Sequence, residues 1–127
     1  MSESSMHAFF EAYAERYMAS DLDAVAALYE VPFLAVREGR AIHLADRGAV
    51  REHLAGLMAA YRDAGASRAD VADLRVTQLD GTSAFVTVRW NAVSADGALL
   101  HAFTTSYQLL REPPGGWRIL SYTYHDE

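Results

Sequence analysis

From Ser67 onward the chain is patterned as strand and turn, and this long stretch limits the fold more than any other feature. Leu74, Val76 and Leu79 lead into Asp80-Gly81, after which Ala84, Val86, Val88 and Trp90 alternate with Phe85, Thr87, Arg89 and Asn91. Asp96-Gly97 turns the chain again, His101 to Arg111 returns, Pro113-Pro114-Gly115-Gly116 turns once more, and Trp117 to His125 closes the set. Alternation with period two is the mark of half-buried strands, and Asp-Gly pairs accept the backbone angles of tight hairpins. The pattern predicts an antiparallel meander of four strands.

The first half is helical by the same logic. Met6, Phe10, Tyr13 and Tyr17 recur at spacings of four, three and four, which predicts an amphipathic helix over about residues 4–19. Ser20 followed three residues later by Asp23 fits a capping box, and Leu22, Val25, Ala26 and Tyr29 supply the apolar face of a second helix that Pro32 is expected to stop. Phe33 to Leu44, broken at Glu38-Gly39, reads as a short hairpin. Asp46 is placed to cap a third helix, with Val50, Leu54, Leu57, Met58 and Tyr61 along one side and Gly65 at its end.

Composition narrows the function classes. A chain of 127 residues with 51% hydrophobic and 22% charged residues is ordinary globular material, expected to form one domain over residues 1–127. The net charge of -6 argues against nucleic-acid binding, which needs clustered basic residues. All eleven basic residues are arginine, which removes lysine Schiff-base chemistry, and the lack of cysteine removes disulfides and thiolate metal sites. No apolar run is long enough for a membrane helix and the N-terminus lacks a secretion signal, so the expectation is a cytoplasmic protein without a membrane partner.

Three helices with a hairpin before the third, then a meander, is an element order that resembles the nuclear transport factor 2-like superfamily, which includes ketosteroid isomerase-like and polyketide cyclase-like (SnoaL-like) proteins. Short motifs agree: Tyr13 stands eight residues before Asp21-Leu22-Asp23, which is followed by Ala26-Ala27-Leu28-Tyr29. Arg47-Gly48-Ala49-Val50-Arg51-Glu52 is similar to the start of the superfamily's third helix, and Gly115-Gly116-Trp117-Arg118-Ile119 to the start of its last strand. The resemblance implies a cystatin-like α+β fold, a cone-shaped curved antiparallel sheet packed on three N-terminal helices, with a pocket inside and a homodimer outside. Short structural motifs of this kind identify a fold better than an activity.

The resemblance also allows the isomerase mechanism to be tested on these residues. Tyr13 takes the position of the isomerases' oxyanion tyrosine, whereas Arg37 falls where their carboxylate base stands, and arginine does not act as a base near neutral pH. Glu38 would reach that role only if the hairpin slipped by one residue, which also turns its side chain to the other face. No Asp or Glu lies between Gly97 and Arg111 to serve as the oxyanion acid; Thr105, Ser106 and Tyr107 stand there instead. Steroid-type isomerisation by the superfamily's own residues is therefore disfavoured.

The remaining candidates follow from which faces point inward. Val86, Val88 and Trp90 give an apolar wall, with His101, Phe103, Thr105, Tyr107 and Leu109 on the next strand and Trp117, Ile119, Ser121, Thr123 and His125 on the last. Such a wall suits a small apolar or polyketide-like molecule, or else is simply a filled core. His125 and His101 are the candidate acid/base groups, with Tyr13 and Tyr107, because imidazole titrates near neutrality. Asp126 is a weak orienting partner for His125, since adjacent strand residues point oppositely. Arg37 suits a substrate carboxylate or enolate, or alternatively lies in solvent. His43 and His53 show no metal-ligand spacing, and no phosphate loop or serine-nucleophile motif is present, so neither metal nor cofactor is expected. The opposite face, with Arg118, Leu120, Tyr122, Tyr124, Thr104, Ser106, Gln108 and Leu110, is the expected dimer surface. Two functions stay open: an acid/base enzyme of cyclase, isomerase or hydratase type, or a non-catalytic ligand-binding or dimeric interaction module.

Overall fold

A computed structural model describes residues 3–111 and 116–125. Helices α1 (Glu3–Met18), α2 (Leu22–Ala26) and α3 (Arg47–Asp63) accompany strands β1 (Tyr29–Arg37), β2 (Arg40–Leu44), β3 (Ala66–Gln78), β4 (Ser83–Ser94), β5 (Leu99–Arg111) and β6 (Trp117–His125). The strands form one sheet in the order β2-β1-β6-β5-β4-β3. Every neighbouring pair is antiparallel except β1 with β6, which runs parallel, so the expected antiparallel sheet is a mixed one. The sheet curls without closing, and α1 lies against β3. Most of the last turn, at 112–115, and Asp126 fall outside the described residues.

The apolar stripe of α1 does what its spacing predicts. Met6 and Phe10 are wholly buried and Tyr13 nearly so, and the Phe10 ring sits 4.7 Å from Tyr107 and 6.3 Å from Trp90 on the sheet. Asp46 caps α3 by accepting the Ala49 amide at 2.9 Å, and Gly65 follows its end at φ 87°, where a side chain is disfavoured. Arg47 Nη1 ties the start of α3 to the preceding connection by donating to the carbonyls of Ala26 at 2.9 Å and Tyr29 at 2.5 Å.

Two local expectations are corrected. The cap of α2 is Asp21, whose carboxylate accepts the Ala24 amide, while Ser20 turns the chain at φ 59°. Pro32 does not stop a helix: α2 has already ended at Ala26, and Pro32 lies exposed within β1. It falls between Tyr29 and Leu34, where pairing with β6 is interrupted and β2 has not yet begun to pair, so its missing N–H removes no ladder bond.

The largest consequence for the site comes from β6. Leu109 faces Ile119, but its neighbour Gln108 faces Ser121, so Leu120 is an extra residue in the strand. A bulge of this kind shifts every later side chain to the opposite face. Tyr122 thus pairs with Tyr107 and Tyr124 with Thr105 on the inner face. Ser121, Thr123 and His125 pair with Gln108, Ser106 and Thr104 on the outer one.

Candidate functional site

Inside the curl lies a hollow of about 60 Å³. All seven tyrosines of the chain, Tyr13, Tyr17, Tyr29, Tyr61, Tyr107, Tyr122 and Tyr124, line it, together with Trp90, Phe103, Thr105, Leu57 and Arg37. Arg37 is the one charged side chain in this wall among the described residues. A wider groove between α1 and β3, with Glu11, Glu15, Arg68 and Asp70, is a surface depression whose Arg68 and Asp70 are paired to each other at 2.8 Å.

Several hydroxyls in the wall are tied to fixed partners. Tyr13 and Tyr29 share a buried hydrogen bond of 2.7 Å, and the Trp90 indole N–H donates to the Tyr107 oxygen at 3.0 Å. Arg37, at the end of β1, lies with its guanidinium 4.4 Å from the centre of the Tyr124 ring and donates from Nη1 to the Tyr122 oxygen at 3.4 Å. Behind the wall, Nε2 of His53 on α3 meets the same Tyr122 oxygen at 2.6 Å. No carboxylate among the described residues pairs with Arg37.

Burial sets the protonation states. It pushes the phenols of Tyr13, Tyr17, Tyr29, Tyr107 and Tyr122 up, and that of Tyr61 up to about 12, so these six are neutral near neutral pH and able to donate hydrogen bonds. His53 is held below its ordinary value, by burial first and by the Arg37 charge second. The site is therefore a set of neutral phenols around one cation, with a neutral imidazole one hydrogen bond away.

The residues singled out from the sequence divide between this wall and other places. Tyr13, Tyr107, Trp90, Phe103, Thr105 and Arg37 line the hollow. Glu38 is in the β1–β2 turn at φ 51° and exposed, so the hairpin has not slipped and Arg37 keeps the inward position. Val86, Val88 and Ile119 are fully buried in the core without lining the hollow. His101 is exposed, with Nε2 3.1 Å from the Tyr124 oxygen and its ring stacked 5.2 Å from Phe103. Ser121, Thr123 and His125 require correction. The Leu120 bulge places them on the outer face, where Nε2 of His125 contacts the Ser106 hydroxyl at 3.0 Å. By the same shift, Tyr122 and Tyr124 leave the expected dimer surface and enter the wall.

His53, Tyr17, Tyr29, Tyr61, Tyr122 and Tyr124 were not among the candidates. A signal for part of this set exists: His53, Leu57 and Tyr61 recur every four residues on α3, a stripe beside the Val50, Leu54 and Met58 core positions. Tyrosine where leucine would fill a core stripe marks a place where a hydroxyl finds a partner. Tyr122 and Tyr124 had no such signal, since their facing depends on the bulge. No group of three or more His, Asp or Glu among the described residues is placed to hold a metal ion, and no helix there is long and apolar enough to cross a membrane.

A curled α+β sheet with three helices around a phenol-lined hollow defines the structural class. Residues 2–127 match the family described as NTF2-like protein (DUF6841), and the chain belongs to that family. Among solved structures, ActVI-ORFA from Streptomyces coelicolor superposes with a TM-score of 0.75 at 16% identity, covering 97% of this chain and 96% of that one. Aln2 from a Streptomyces species gives 0.72 at 20%, with coverage of 99% and 92%. A ketosteroid isomerase-like protein from Erwinia carotovora gives 0.64 at 18%, with 98% and 96%. These likenesses concern the fold. The comparison with curated proteins returned no match.

Proposed function

We propose that this protein is a small-molecule pocket protein that seats a flat, largely apolar molecule among the tyrosines of the hollow. The observation that carries this reading is the convergence of all seven tyrosines on one space, because each offers a ligand both an aromatic face and a hydroxyl. Aromatic walls with a few fixed polar groups are the usual makeup of a ligand site.

In its enzymatic form, of isomerase, cyclase or hydratase type, Tyr122 touches the substrate and His53 is the base. A proton leaving the substrate passes to the Tyr122 oxygen as that hydroxyl's own proton passes to Nε2 of His53. The 2.6 Å contact supports this route, and the Arg37 side chain 3.4 Å from the same oxygen is suited to steady negative charge forming beside it. The name ketosteroid isomerase-like on one fold relative is compatible with such chemistry, though Arg37 stands where those enzymes' base is expected. The alternative is a non-catalytic binding or interaction module, favoured by the small size of the hollow.

The two tryptophans, Trp90 and Trp117, make the test direct. Titration with benzamide should shift the indole N–H resonance of Trp90, which is bonded to Tyr107 in the wall, and leave that of Trp117 in place. If aromatic probes moved neither indole, the hollow would be a packing remnant and the pocket reading would fail. A cytoplasmic setting and a homodimer belong to the same proposal. The proposed dimer face keeps Ser106 and Gln108 and takes Ser121 and Thr123 in place of Tyr122 and Tyr124. A monomer mass throughout the micromolar range in sedimentation would remove the dimer.

A further inference from the structure

Arg37 is unusual in its surroundings. It is partly withdrawn from water among aromatic rings, one face of its guanidinium lies over Tyr124, and its one hydrogen-bonded side-chain partner here is the Tyr122 hydroxyl. A cation held away from solvent without a counter-charge is costly, and the cost falls when an anion arrives. Its other N–H groups remain to meet one. The same cation acts on His53 from the far side of Tyr122.

We propose that the hollow takes a small organic anion at Arg37, and that seating this anion is coupled to protonation of His53 through Tyr122. This rests on the pocket reading above, in its non-catalytic binding form, and specifies its ligand. Free of ligand, His53 is kept neutral by burial and by Arg37. An anion on the guanidinium offsets the second of these causes, so His53 takes up a proton on binding. The coupling operates between the lowered value of the free protein and the higher value of the complex, which burial still holds down, and affinity rises as pH falls through that window. Among the described residues, the groups that act on His53 from packed elements are Tyr122 on β6 and Arg37 on β1. Other nearby charges are engaged: Asp23 of α2 pairs with Arg51, and Arg47 binds backbone carbonyls. The imidazolium so formed is placed to donate to the Tyr122 oxygen, which frees that hydroxyl's proton to point at the anion.

The experiment is calorimetric titration with benzoate, an anion throughout the range in which imidazole titrates, and with neutral benzamide, in buffers of different ionisation enthalpy. Benzoate should bind with proton uptake and more tightly at lower pH. Arg37→Met should weaken benzoate on the order of tenfold or more and benzamide by less. His53→Gln should bind benzoate without the uptake and without the rise in affinity at lower pH. Should that variant not fold, the imidazole resonances of His53 in the native protein read the same coupling, moving to higher pKa when benzoate is added. Benzoate binding without proton uptake, or uptake that persists in His53→Gln, overturns the proposal. Benzamide binding without benzoate overturns it and leaves the pocket reading standing; the failure of both probes removes both.

Discussion

The Tyr122 hydroxyl lies 2.6 Å from Nε2 of His53, joining the last strand to α3 behind the wall of the hollow. Because Arg37 reaches the same oxygen from β1, three elements distant in sequence meet at one phenol. Replacing Tyr122 by Phe keeps the ring and deletes the junction. Net hydrogen bonds of this type contribute about 1 kcal/mol each, so the variant should lose roughly 1–2 kcal/mol in urea unfolding with an unchanged m-value. An unaltered midpoint would show that the hydroxyl is not engaged.

The pH dependence of stability reports on His53. Its folded pKa is lowered, by burial and then by Arg37, so the unfolded chain binds the proton more readily. The stabilisation is fully present above the unfolded value of about 6.5 and is lost as pH falls through the folded one. Thermal midpoints should therefore drop toward acid pH, and His53→Gln should flatten that slope relative to the native protein. Parallel profiles for the two would exclude His53 as the source.

The bulge at Leu120 is open to chemical test because the chain has no native cysteine. At dilutions where the chain is monomeric, a thiol at Thr123, which is exposed on the outer face, should react rapidly with a maleimide, and one at Tyr122, which is 4% exposed, slowly. The reverse order would mean that β6 alternates without a bulge and that Ser121 and His125 face inward.

Phe10 packs from α1 into the core, with no exposed surface and its ring against Phe9, Tyr13, Trp90 and Tyr107. Phe10→Ala should cost about 3–5 kcal/mol in chemical unfolding. A loss below about 1 kcal/mol would show that the surrounding rings collapse into the space.

Alkaline titration tests the phenol wall as a whole. Six of the seven tyrosines are held above their ordinary value, chiefly by burial. A raised folded value means that the stability these groups contribute is complete below about pH 10 and declines as pH rises beyond it. Tyrosinate absorbance should appear mainly in step with loss of secondary structure. Ionisation of most of the tyrosines in a chain that is still folded would place them in solvent.

Local chemistry by itself determined the α1 stripe, the Asp46 cap, the Glu38-Gly39 hairpin and the strands divided at Asp80-Gly81 and Asp96-Gly97. Each is decided within a few residues by helix periodicity, capping or turn geometry. Pro32 was misread for the same local reason: a proline rule says where a helix cannot continue, not whether one is still running. Only the tertiary structure decided that β1 runs parallel beside β6, and that Leu120 is skipped in pairing with β5, turning Ser121, Thr123 and His125 outward and Tyr122 and Tyr124 inward. A bulge is a property of two strands and their shared curvature, so β6 read alone alternates regularly and puts the wrong residues inside. The meeting of Arg37, Tyr122 and His53 has the same origin, because contacts across 69 and 85 residues are made by packing and leave no local pattern.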